Sequence, residues 1–75
     1  MIYNQIIDRV AWGEEFFFFY NSEKYWISQN ELGLYLTRVK DSYTQSFNTA
    51  QELFENGLVD GKTIAEIWDC IEGYF

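Results

Sequence analysis

Carboxylates are the reactive groups this chain holds in quantity. Its 75 residues carry twelve Asp and Glu against five Lys and Arg, for a formal net charge of −7, with no histidine and one cysteine, Cys70. Nucleophilic catalysis of the Ser-His-Asp or Cys-His kind needs a base beside the nucleophile, and no histidine can serve. The usual zinc ligand sets cannot be assembled either. Gly13, Gly33, Gly57, Gly61 and Gly73 each stand alone at a boundary, so there is no Gly-rich phosphate loop. Asp60-Gly61-Lys62 opens like a calcium loop but lacks the alternating ligands and the closing Glu. Adjacent acids such as Glu14-Glu15 suit acid–base work only inside a pocket that desolvates them, and a chain this short has little room for one. The expectation is a protein that is not an enzyme and uses no metal or cofactor.

Carboxylates without a catalytic setting act by their charge. Residues 1–40 hold five acids and four bases, a net of −1; residues 41–75 hold seven acids and Lys62 alone, a net of −6. Glu66, Asp69 and Glu72 recur at every third position, and Glu52 and Glu55 repeat that spacing, which on helices sets carboxylates about 5 Å apart. That interval is of the same order as the phosphate spacing of a nucleic-acid strand. A solvated face ordinarily interleaves Lys and Arg, and here only Lys62 appears. The field repels nucleic acid and anionic lipid, so direct nucleic-acid or membrane binding is not expected and a basic protein partner is.

These carboxylates must be positioned by an α+β fold, a single domain spanning residues 1–75. Ile2, Ile6, Ile7 and Val10 fall at helical spacing and Gly13 offers a stop, which predicts a helix over 2–12. Glu15 to Tyr20, with four successive phenylalanines, reads as a strand apolar on both faces. Turn chemistry at 21–24 and 30–33 separates it from strands over 25–29 and 34–39, giving a three-stranded antiparallel meander. Residues 42–47 are a candidate short fourth strand, although Asp41 and Ser42 break the run. Two short helices follow. Asn48 or Thr49 caps the first, which Gly57 ends; Asp60-Gly61 turns the chain; and Thr63-Ile64-Ala65-Glu66 is a capping box opening the second on an Ile64, Ile67, Trp68, Ile71 stripe.

The 21% aromatic content is what a small core without disulfide staples requires. Alternation sets Phe16, Phe18 and Tyr20 against Phe17 and Phe19, with Trp26, Tyr35 and Tyr43 expected on whichever face the helices leave open. Such a face suits a homodimer or protein dock better than single-stranded nucleic acid, which also wants basic residues. The exposed Glu23 and Glu31 at the two turns are further contact candidates. Cys70 reads as a small buried hydrophobe, and the absence of a signal-like start fits a cytoplasmic setting.

In this order of elements, acidity and size, the whole chain resembles the phage-encoded anti-CRISPR proteins that block the DNA-binding channel of CRISPR effector nucleases. Leu53-Phe54-Glu55-Asn56-Gly57 and Asp60 to Asp69 are also similar to small uncharacterised proteins of Firmicute phages and mobile elements. The resemblance implies inhibition by competition, with Glu66, Asp69, Glu72, Glu52, Glu55, Glu31 and Asp41 of the preceding loop occupying Arg and Lys sites that otherwise grip DNA. It further implies an aromatic anchor, Tyr43 or Tyr74, with Trp68 kept for the core. An immunity or antitoxin protein against a basic nuclease uses the same physics, and a homodimeric interaction module is the reading from another class.

Overall fold

The computed structural model describes residues 2–75. Helix α1 (Tyr3–Ala11) forms where expected, with Ile6 and Val10 buried one turn apart and Ile7 packed against the core, whereas Ile2, the fourth residue of the expected stripe, precedes the helix and is exposed. Gly13 ends it at φ +109°, a conformation glycine adopts without steric cost. The Gln29 side-chain amide donates to the Val10 carbonyl, which also accepts from the Gly13 amide (3.1 Å), and so ties the end of α1 to the sheet.

Strands β1 (Phe16–Tyr20), β2 (Glu23–Asn30), β3 (Gly33–Arg38) and β4 (Tyr43–Phe47) follow as an antiparallel meander in the order β1-β2-β3-β4. The sheet therefore has four strands where three were expected, and the residues that seemed to break the run build the turn. Ser42 takes φ +59°, and the Asp41 carboxylate accepts from the Tyr43 amide (3.3 Å) while holding Arg38. At the β1–β2 turn both Asn21 and Ser22 have positive φ (51° and 66°), the mirror-image geometry whose twist suits a two-residue hairpin. Pairing thus begins at Tyr20 opposite Glu23, two residues earlier than Tyr25.

Register decides the faces. The row Phe18–Tyr25–Arg38–Tyr43 and the row Phe16–Ile27–Leu36–Gln45 point toward the helices; Phe17–Trp26–Thr37–Thr44 points away. Trp26 and Tyr35 share the open face with Phe17 and Phe19, as expected. Tyr43 does not: the tight turn sets it opposite Arg38, on the helix side.

Helix α2 (Ala50–Asn56) is capped by Thr49, whose hydroxyl accepts from the Glu52 amide (3.1 Å). A two-stranded ladder that sequence periodicity did not foreshadow, β5 (Leu58–Val59) and β6 (Lys62–Thr63), closes through Asp60-Gly61 at φ 53° and 78°. Helix α3 (Ile64–Ile71) opens on the predicted capping box: the Glu66 amide donates to the Thr63 hydroxyl (3.3 Å) and the Thr63 amide donates to the Glu66 carboxylate (3.0 Å). A 3₁₀ turn, Glu72–Tyr74, follows. Phe18, Ile27, Leu36, Leu53, Phe54, Val59, Ile64 and Ile71 are fully enclosed between sheet and helices. Cys70 is not among them. It lies one residue ahead of Ile71, about 100° round the helix from the stripe, and its side chain is exposed.

Candidate functional site

The predicted contact residues divide into two groups. Glu66 and Asp69 stand exposed on α3, Glu72 on the turn after it, and Glu55 on α2, with Glu52 half-exposed beside it; the two helices pack on each other. The rest lie elsewhere. Glu31 caps the β2–β3 turn at one end of the sheet, whereas Asp41 and Tyr43 sit at the opposite end.

Asp41 is also not a free charge. Arg38 holds it with two hydrogen bonds (3.0 and 2.7 Å), and that guanidinium, helped by the Tyr43 amide, pulls its carboxyl pKa from 3.8 down to about 2. Tyr43 lies over the same guanidinium, 5.3 Å from ring centroid to carbon. Tyr74, by contrast, is half-exposed two residues beyond Glu72 and rests against Phe19 (5.9 Å), so it is the tyrosine placed to accompany the α3 carboxylates. Trp68 is half-buried, edge-on to Tyr3 (5.4 Å) and stacked on Phe75 (5.3 Å), as its core role required.

Local bonds hold the helical carboxylates without neutralising them. Glu66 accepts from Thr63, and the Thr63 amide and hydroxyl together lower its pKa ahead of a smaller effect of Lys62. Glu55 accepts from Gln51 (2.9 Å) and Glu52 from the Asn48 amide (3.3 Å). Among the described residues the ion pairs are Arg9–Glu14 (2.5 Å), Arg38–Asp41 (2.7 Å) and Lys40–Glu23 (3.6 Å); none reaches α2, α3 or the turn after them.

The bases explain why. Arg38 and Lys40 line a cleft of about 400 Å³ with Tyr20, Asn21, Tyr25, Asp41 and Asp60. Lys62 reaches the Tyr20 hydroxyl at that cleft (3.4 Å), and Lys24 lies over the Phe17 ring (4.3 Å) on the neighbouring strands. Four of the five bases thus gather at one end of the sheet, where they outnumber Glu23, Asp41 and Asp60 by one. The remaining surface holds nine acids against Arg9, itself engaged by Glu14. Division by sequence halves understated this segregation, because Lys24, Arg38 and Lys40 precede residue 41 while Lys62 follows it. Only the fold brings them together.

The open sheet face is a second surface. Phe17 and Phe19 are 48% and 43% exposed, Phe17 stacks on Trp26 (5.7 Å), and the Trp26 indole nitrogen is buried with no acceptor among the described residues. Periodicity identified these residues, but an unpartnered donor has no sequence signal.

Among the described residues no group of His, Cys, Asp or Glu is arranged to hold a metal ion, and no helix is long and apolar enough to cross a membrane. Comparison with protein-family models, with curated proteins and with solved structures finds no match.

Proposed function

We propose that this protein is an inhibitor that occupies the cationic nucleic-acid-binding surface of a partner protein, with the carboxylates of α2, α3 and the following turn standing in for phosphates. One observation carries the reading: Glu52, Glu55, Glu66, Asp69 and Glu72 have no ion-pair partner among the described residues, while four of the five bases are gathered at one end of the sheet. Unpaired carboxylates on a rigid helical pair meet Arg and Lys of a partner without first breaking internal bridges. A rim pair contributes about 1 kcal/mol or less, so tight binding needs several together with an aromatic anchor, and Tyr74 is the residue so placed. A CRISPR effector nuclease is the partner class that the anti-CRISPR resemblance suggests, and a basic nuclease held by an immunity protein is its counterpart.

Neutralisation tests this reading better than reversal, because Glu66 also closes the α3 capping box, a role Gln retains. The variant Glu52→Gln, Glu55→Gln, Glu66→Gln, Asp69→Asn, Glu72→Gln is compared with the wild type in capture from bacterial lysate at about 0.05 M and about 0.3 M salt. The expected result is a nucleic-acid-binding protein retained at low salt by the wild type alone, and losing its own DNA or RNA affinity when retained. Equal retention by both forms refutes the acidic-face reading.

The alternative is an interaction module docking through the open sheet face. The exposed Phe17 and Phe19 rings favour it, since a docked protein removes that apolar area, with Trp26 stacked on Phe17, from water. Retention that is insensitive to salt and lost in Trp26→Ser selects this second reading.

A further inference from the structure

The two edges of the sheet are finished differently. Phe75 meets Phe16 (5.4 Å) and Phe18 (5.8 Å) on the helix side of β1, while Tyr74 meets Phe19 (5.9 Å) on the opposite face. A segment that touches both faces straddles the edge between them, so β1 is shielded. On β4, the other edge, Tyr43, Thr44 and Ser46 are exposed.

Pairing parity identifies the free backbone groups of β4. The Val39 amide donates to the Lys24 carbonyl (3.0 Å), so the ladder bonds between β2 and β3 fall at every second pair from there: Trp26–Thr37, Ser28–Tyr35 and Asn30–Gly33. Leu34, Leu36 and Arg38 therefore turn their backbone to β4, where they pair with Phe47, Gln45 and Tyr43. The N–H and C=O of Thr44 and Ser46 point away from the sheet. Edges of this kind are usually blunted by Pro, Lys, a bulge or a covering loop. Residues 42–48, Ser-Tyr-Thr-Gln-Ser-Phe-Asn, contain neither Pro nor any charge, in a chain of net charge −7.

We propose that β4 is a dimerisation strand: two copies of this chain pair β4 antiparallel about a two-fold axis through Gln45, fusing their sheets into one. The register is self-complementary. Thr44 falls opposite Ser46 of the second copy, and Ser46 opposite its Thr44, each an outward-facing residue that exchanges both backbone bonds with its counterpart. Charge selects a second copy at this place. On α2, α3 and the turn after them like carboxylates oppose one another as two copies approach, whereas across β4 no charges meet. Leu58 adds apolar area beside the axis, since it is 48% exposed and bonded to Gln45 through its amide and carbonyl. Tyr43, 57% exposed on the same side, is covered by the approaching copy.

The experiment is sedimentation equilibrium of the full chain from about 10 μM to about 1 mM, together with amide hydrogen exchange across the same range. The expected result is a concentration-dependent dimer in which the Thr44 and Ser46 amides gain protection as dimer forms. Ser46→Pro removes an outward N–H without touching the β3–β4 ladder and should raise the dissociation constant at least about tenfold. Hydrogen exchange on the unaltered chain keeps the test decisive if Ser46→Pro fails to fold. A monomer throughout, or a dimer whose Thr44 and Ser46 amides exchange as fast as in the monomer, overturns the proposal.

Discussion

The side-chain amide of Gln45 treats the backbone of Leu58 as a neighbouring strand would: it donates to the Leu58 carbonyl (2.7 Å) and accepts from the Leu58 amide (2.8 Å). Through this residue the β5–β6 hairpin is fastened to β4. Gln45→Leu keeps the size but leaves both Leu58 groups without a protein partner. The expected cost is about 1 to 2 kcal/mol, moderated by the access of water to Leu58, and urea unfolding measures it.

Gly57 is required by space rather than by backbone angle. Its φ is −64°, open to any residue, yet a Cβ there would stand 2.5 Å from the Leu53 carbonyl oxygen and 3.0 Å from a Leu36 methyl. Gly57→Ala must push α2 away from β3, and a loss of about 2 to 3 kcal/mol is expected in the same assay. Gly73→Ala, where nothing lies within 4 Å, is the control and should be close to neutral.

The Arg38–Asp41 pair predicts a pH dependence of known sign. Asp41 has its pKa depressed from 3.8 to about 2, so its contribution is complete above the unfolded value and disappears as pH falls through the folded one. Asp41→Asn should therefore melt below the wild type at about pH 5, with the gap closing as pH falls toward about 2. Thermal melts across that range check it; a gap that stays constant would place the effect in the turn geometry rather than the charge.

Cys70, exposed on α3, should react with a thiol reagent in the folded protein as fast as in denaturant. Cys70→Ser should change stability by no more than about 0.5 kcal/mol.

The sequence made the long periodic elements readable and hid the ones made by turns. α1, β1 and the α3 capping box lie within a residue or two of expectation, because each rests on periodicity or on a cap with its own hydrogen bonds. The fourth strand was obscured because Asp41 and Ser42 look like breakers until the Asp41 carboxylate is seen gripping Arg38 and the Tyr43 amide. The same turn sends Tyr43 to the helix side. β5 and β6, two residues each, are too short to show a period. Of the contact residues, those on α2 and α3 come together because helical spacing is local; Glu31, Asp41 and Tyr43 are separated by strand connections that spacing does not encode. The gathering of Lys24, Arg38, Lys40 and Lys62 is a product of topology, since three hairpin ends meet at one side of the fold.

That gathering separates charge across the molecule, leaving one end of the sheet slightly positive and nine of the twelve acids, those of the helices among them, on the remaining surface. In the field of a cationic surface such a body experiences a torque before it experiences contact, so it arrives with the basic end trailing. Moving a single lysine from the sheet end to α3, at unchanged net charge, would alter that approach. The change would appear in the association rate at low salt rather than in the lifetime of the complex.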